Sequence, residues 1–213
     1  MLLRKQNSRN EDWLKTFANI SQLVSKQQID HEIEKVIEDI NAKTKDKRVA
    51  VAWSGGKDSI ALEFITRQAG IRDVFGVFCE LEYPAMMNWV MENKPEGCEL
   101  VNTGQDLRFL KEHESWLFPR DAQGRMRWFQ AVQHRGQNEY FKRRKMDMLI
   151  LGRRRKEGNH CGRDNVYHTR QGVVRYCPLA DWPHEYILAV IYYYNLKLPP
   201  LYDWENGFDI GTH

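Results

Sequence analysis

The run from Val49 to Ser59 constrains this chain more than any other stretch. Val49-Ala50-Val51-Ala52-Trp53 is a short apolar segment that stops at Ser54-Gly55-Gly56. An amphipathic helical pattern, from Lys57-Asp58-Ser59 through Ile65, begins at once. The order is strand, tight turn, helix. Two glycines let the backbone approach a ligand closely and adopt dihedrals closed to other residues. The turn aims the free N–H groups of the new helix, and the positive end of its dipole, at one spot. Ser54 and Ser59 add hydroxyls, Lys57 a cation, and Asp58 a carboxylate suited to Mg²⁺ or its water. Such a spot binds phosphate. It is not a Walker A loop, which needs four residues between its first Gly and its Gly-Lys pair.

Strand and helix signals alternate through the rest of the chain. Asp73–Cys79, Glu99–Val101 and Met148–Gly152 read as buried strands; 84–93, 105–113 and 128–145 read as helices, the last strongly basic. Trp116 to Arg127 has no clear periodicity and reads as a loop. Val166–Thr169 and Val173–Tyr176 flank Gln171-Gly172 as a hairpin, and a helix is expected from Pro183 to Asn195. Alternation of this kind predicts parallel pairing and a doubly wound, mostly parallel α/β sheet. Ligands of such sheets lie outside the carboxyl ends of the strands. Ser54–Ser59 and Gly152–Arg155 both fall at such ends.

Ahead of the loop, Trp13, Leu14, Phe17, Ile20, Leu23 and Val24, then Ile29, Ile33, Val36, Ile37 and Ile40, recur at helical spacing. Residues 1–46 are thus expected to be a helical extension of a domain covering 47–213. Its apolar faces could cover the sheet or form a homodimer with a second copy. Nothing in them suggests chemistry.

With 42% apolar and 29% charged residues the composition is that of an ordinary globular protein. The longest apolar stretch, Tyr186 to Tyr194, is too short to span a membrane, and Met1–Asn10 lacks the apolar core of a signal peptide. A soluble, cytoplasmic protein is expected. Between Arg120 and Arg175, fifteen Lys or Arg face five Asp or Glu, an excess of ten positive charges. That suits a phosphorylated ligand, an anionic acceptor or a nucleic acid. Cys79, Cys98, Cys161 and Cys177 form no Cys-x-x-Cys pair, which argues against zinc and gives no support to an iron–sulfur site.

Ser54-Gly55-Gly56-Lys57-Asp58-Ser59 resembles the signature of the PP-loop ATP pyrophosphatases, the adenine nucleotide alpha hydrolases. The resemblance implies that the loop grips the terminal phosphates of ATP and that cleavage falls between the alpha and beta phosphates. Gly152-Arg153-Arg154-Arg155-Lys156-Glu157, with Arg163 downstream, is similar to the Gly-x-Arg-Arg-x-Gln/Glu…Arg block of phosphoadenylyl sulfate (PAPS) reductases and of the ATP sulfurylase small subunit. Pro178–Trp182, Leu198–Asp203 and Gly207–Gly211 resemble further blocks of those families, in the same order.

Three departures bear on function. The chain ends at His213 without the Glu-Cys-Gly-x-His tail that carries the thiol of such reductases. Arg125–Phe129 stands where cluster-bearing reductases have a Cys-Cys pair. Lys57 and Asp58 remain in the loop, which many reductases have degraded.

The resemblance therefore implies an ATP-dependent adenylyl transfer onto an oxyanion or carbonyl acceptor, with ATP and Mg²⁺ as cofactors. The expected nucleotide site is Ser54, Gly55, Gly56, Lys57, Asp58, Ser59, Gly152 and Arg163. Lys57, Asp58, Arg154 and Arg155 are the expected catalytic residues and Asp58 the metal residue. Adenine is expected against the strand ending near Cys79–Glu82. Arg154 and Arg155 are expected to face the cleft, with Arg153 turned away. Two alternatives stand beside this reading: a thiol-dependent PAPS reductase using Cys161, and a nucleotide-dependent nucleic-acid binder using the basic segment Lys142–Lys145.

Overall fold

A computed structural model describes residues 8–116 and 122–210. Its centre is a six-stranded sheet in the order β3-β2-β1-β4-β6-β5, formed by β1 (Val49–Ala52), β2 (Val74–Phe78), β3 (Glu99–Asn102), β4 (Met148–Leu151), β5 (Val166–His168) and β6 (Val174–Tyr176). All pairs are parallel except the β5–β6 hairpin. The chain leaves β1 outward through β2 and β3, then returns to place β4 on β1's other side, with Val51 opposite both Val74 and Ile150. The carboxyl ends of β1 and β4 therefore flank a topological switch point, where doubly wound sheets bind ligands.

Helices α1 (Asn10–Ala18), α2 (Ile20–Leu23), α3 (Lys26–Thr44), α4 (Lys57–Gln68) and, near the other end of the sequence, α9 (His184–Tyr193) pack together on one face. The N-terminal helices do not form a separate layer. Trp13, Ile20, Ile29, Ile33 and Ile40 share one apolar core with Val51, Ile65, Ile150 and Leu188. Most of the expected apolar stripe is thus buried against α4 and α9, while Leu14 and Leu23 are exposed. Between β2 and β4 come α5 (Pro84–Asn93), α6 (Leu107–Glu112), α7 (Ala122–Phe129) and α8 (Arg135–Arg143), and the last residues described include α10 (Gly207–Ile210).

The other face is covered by α8. Its Gly136 lets the helix settle on β2, because a Cβ there would come within 2.4 Å of Val77 Cγ1. The expected loop of 116–127 is corrected in part. α7 begins at Ala122 and runs through a π-helical turn (Gln130–His134) into α8, while residues 117–121 lie outside the described residues. The segment has no apolar periodicity to give a helical signal; Gln123, Met126 and Arg127 are exposed. Of the Gly207–Gly211 element, Gly211 also lies outside the described residues. No helix among them is long and apolar enough to cross a membrane.

Candidate active site

Where β1, β4, α4 and the π-helical turn converge lies a cavity of about 330 Å³, within the size range of small-molecule sites. Ser54, Gly56, Lys57, Asp58 and Ser59 form one wall, Arg153 and Gly152 stand at the end of β4, and Phe129, Gln133 and Gln137 form the opposite wall. Ala52, Phe75, Val77 and Leu151 give the cavity an apolar floor. It meets β2 at Phe75 and Val77, short of the expected Cys79–Glu82; Glu80 instead accepts a hydrogen bond from Asn102.

The loop is braced from within. Ser54 N donates to Ser59 Oγ (3.1 Å), Ser59 Oγ donates to the Gly56 carbonyl (2.9 Å), and Gly56 N donates to Ser54 Oγ (3.4 Å). Gly55 takes φ +73°, a conformation in which any side chain is strained, so the position favours glycine. Gly152 carries β4 past the loop so closely that a Cβ would lie 3.1 Å from the Asp58 carbonyl. At the start of α4, Lys57 N donates to the hydroxyl of buried Tyr202 (2.9 Å). This tyrosine comes from the Leu198–Asp203 element, to which no role was given by sequence.

On and just behind this wall two cations and two carboxylates close on one another: Lys57, Asp58 and Glu157 line the cavity, and Arg154 lies behind them. Lys57 Nζ donates to Asp58 Oδ2 (2.7 Å) and Glu157 Oε1 (3.0 Å). Arg154, fully buried, donates from Nε to Asp58 Oδ1 (2.5 Å), from Nη2 to Glu157 Oε1 (2.9 Å), and from Nη1 to the Trp182 carbonyl (3.1 Å). Its Nη2 also lies 3.0 Å from His184 Nδ1. Burial opposes the charge on Asp58, but Arg154 and Lys57 outweigh it and hold the carboxyl below its ordinary range. Burial likewise opposes the Lys57 ammonium, and Asp58 and Glu157 hold it above its usual value. Trp13 of α1 lies under this cluster, its ring 5.0 Å from Lys57 Nζ and edge-on to His184 at 4.4 Å. The N-terminal helix therefore does contribute to the site.

The arginine expectations are reversed. Arg153 lines the cavity; Arg154 is buried behind it; and Arg155 turns away to bind Asp181, the Gly162 carbonyl (2.7 Å) and Asn165 Oδ1 (2.9 Å). Side chains alternate along an extended chain, and β4 sends Met148 and Ile150 to the α4–α9 face, Leu149 and Leu151 to the α8 face. Continued through Gly152, that parity sends Arg153 to the α8 side with the cavity and Arg154 to the side of Trp13 and His184. Arg163 is exposed and is not on the cavity wall.

Asp58, the expected metal residue, lies on the cavity wall. Both its oxygens are taken by cations, and no group of three or more His, Cys, Asp or Glu among the described residues could hold a metal ion. Cys161 is 2% exposed, off the cavity wall, with Sγ 3.6 Å from the Arg153 carbonyl. A hydrogen bond from Cys177 lowers its pKa against the effect of burial.

The histidines give the site a pH signature. Burial, aided by Arg154 and Lys57, pushes His184 from 6.5 down to about 3; burial, with Arg175 and Arg153, pushes His134 to about 4. Both are neutral in the fold and gain protons only on unfolding, so stability is full above about pH 6.5 and falls as pH drops toward 4. Thermal melts are expected to shift steadily downward across that window; a midpoint unchanged from about pH 7 to 5 would contradict the burial of these rings.

Residues 48–209 match the protein family described as "Phosphoadenosine phosphosulfate reductase domain". No curated protein matches the chain significantly. Among solved structures, the chain is similar to a Candida auris PAPS reductase in a phosphate complex (14% identity, 84% of this chain and 92% of that one, TM-score 0.61). It is also similar to a Methanococcus maripaludis U34-tRNA thiolase with a [4Fe-4S] cluster (15%, 81% and 65%, 0.53). A third is Candida glabrata FMN adenylyltransferase with FAD and pyrophosphate (14%, 94% and 69%, 0.52). At these identities the structures speak to fold alone, and the fold is that of the PP-loop superfamily. With sheet order, loop and sequence match in agreement, the chain belongs to the phosphoadenosine phosphosulfate reductase domain family.

Proposed function

We propose that this protein cleaves ATP between the alpha and beta phosphates and transfers the adenylyl group to an oxyanion or carbonyl acceptor. The observation that carries the reading is the complete phosphate loop, Lys57 included, on the wall of a cavity at the switch point of the sheet, with the thiol of Cys161 buried off that wall. An ammonium has three hydrogens. Two are held by Asp58 and Glu157, which fix Lys57 in place and leave the third for a phosphate oxygen.

In the proposed reaction an acceptor oxygen attacks the alpha phosphorus, the bond from that phosphorus to the bridging oxygen breaks, and pyrophosphate leaves with the electron pair. Lys57 and the first turn of α4 stabilise the charge that develops on the leaving group. Asp58, Glu157 and Arg154 act as positioning residues: they hold Lys57 and one another. The apolar floor accommodates the base. The basic end of α8, named for nucleic-acid binding, is partly neutralised, since Arg143 and Arg144 both pair with Glu99.

The test is a scan of pyrophosphate release from MgATP against sulfate, carboxylate and nucleobase acceptors, run beside sulfite release from PAPS with a thiol donor. Pyrophosphate without sulfite is expected, and Cys161→Ser is expected to keep most of the turnover. Sulfite release that vanishes in Cys161→Ser would establish the reductase reading instead.

A further inference from the structure

The first N–H of α4, that of Lys57, is already engaged: it donates to the Tyr202 hydroxyl at 2.9 Å. A hydroxyl that accepts one hydrogen bond still carries its own hydrogen. Among the described residues, the Tyr202 hydroxyl donates that hydrogen to no acceptor. The residue is 5% exposed, and it lies on the cavity wall beside Lys57, Asp58 and Ser59. The phenol therefore takes up one donor at the helix start and returns another to the ligand space. A buried donor without an acceptor is unfavourable, so the arrangement favours a ligand that supplies one.

The ring is held in place by α1 and α10. Tyr202 packs on Phe208 with 4.9 Å between ring centres, and Phe208 stacks on Trp13 at 5.6 Å, 10° from coplanar. Phe208 N in turn donates to Asn10 Oδ1 (2.8 Å), which ties α10 to the start of α1. The protonation state suits a donor as well. Burial raises the phenol above its ordinary pKa against the opposing charge of Lys57, and Asp58 and Glu157 push the same way as burial. At neutral pH the hydroxyl keeps its hydrogen and is no base. The N–H that it accepts polarises the O–H and strengthens that donor.

We propose that Tyr202 is a catalytic residue: its hydroxyl donates to a phosphate oxygen of the nucleotide at the start of α4 and keeps that contact in the leaving pyrophosphate. Naming the leaving group rests on the ATP reading above; the contact with a bound phosphate chain does not. As the bond from the alpha phosphorus breaks, negative charge grows on the departing oxygens. A donor already fixed beside them is then worth more than in the ground state. No proton is transferred in this step. Tyr202 keeps its hydrogen, and pyrophosphate leaves with the electron pair. Phe208 and Trp13 are positioning residues that act through the Tyr202 ring.

The experiment is calorimetric titration of the full chain with inorganic pyrophosphate and with α,β-methylene ATP, together with steady-state turnover of MgATP. Tyr202→Phe keeps the ring against Phe208 and removes only the oxygen. It is expected to weaken pyrophosphate at least about tenfold, as loss of a hydrogen bond to a charged group does, and to lower kcat more than it raises KM. A tyrosine that only caps α4 gives another result: stability falls, and pyrophosphate binds as well as before, because the N–H of Lys57 is released to it. A second variant separates the two roles. Tyr202→difluorotyrosine ionises at lower pH than tyrosine, and a phenolate still accepts from Lys57 N but has no hydrogen to donate. Its turnover, relative to wild type, is expected to fall as pH rises through that ionisation. Wild-type pyrophosphate affinity in Tyr202→Phe would overturn the proposal, as would turnover of the fluorinated variant that is indifferent to its ionisation. Pyrophosphate binding by a wild type that does not bind the ATP analogue would sink the ATP reading, while Tyr202→Phe would still test the contact. A wild type that binds neither would overturn both.

Discussion

Arg154→Leu is expected to lower the stability of the fold by about 3–5 kcal/mol, the usual cost of removing one partner from a buried ion pair. Arg154 touches Asp58, Glu157, the Trp182 carbonyl and His184 from a fully buried position. Its removal takes one of the two cations that Asp58 and Glu157 share and withdraws a donor from the Trp182 carbonyl. Arg154→Lys restores the charge but reaches fewer of these acceptors, so it should fall between. Urea unfolding followed by circular dichroism reads both. A loss below about 1 kcal/mol for Arg154→Leu would mean that the cluster is solvated and the buried quartet is wrong.

Lys57→Ala should act chiefly on chemistry. Asp58 and Glu157 each keep a bond to Arg154, as they keep Lys57 in Arg154→Leu, but here the Trp182 carbonyl keeps its donor, so the loss of stability should be smaller than for Arg154→Leu. The lost ammonium is the group proposed to meet the charge on departing pyrophosphate, and removal of one such donor typically costs about 10²–10³ in turnover. A cooperative fold that melts below the wild type but above Arg154→Leu, with turnover reduced by that factor, is the expected pair of results. Near-normal turnover would remove Lys57 from the reaction and with it the reading of the loop.

Much of this was legible before any coordinates. The phosphate loop could be read because its chemistry is local: strand, glycine turn and helix start lie in one short run of sequence. The parallel sheet followed from alternating strand and helix signals, and β1 to β4 fall within a residue or two of the expected spans.

The wall facing the loop was not legible. Phe129, Gln133 and Gln137 reach the cavity from a helix interrupted by a π-helical turn, which breaks the 3.6-residue spacing that periodicity detects. The arginines were misassigned because resemblance identified the block but not its phase. The signal was present: Leu149 and Leu151 face one way, and counting on in twos gives Arg153. Arg175 could likewise have been noticed as a charged residue at an inward-facing position of a buried strand. Trp13 escaped because its partner Lys57 is far away in the sequence, and only packing of α1 on α9 brings them together.

Product analysis of ATP turnover by ³¹P NMR tests the central claim most directly, with the acceptor found in the scan present and Lys57→Ala as the control. The account predicts that pyrophosphate accumulates together with an adenylylated acceptor or AMP, and that both are lost in the control. ADP and inorganic phosphate as the products would contradict it, because they place cleavage at the gamma phosphate and not between alpha and beta.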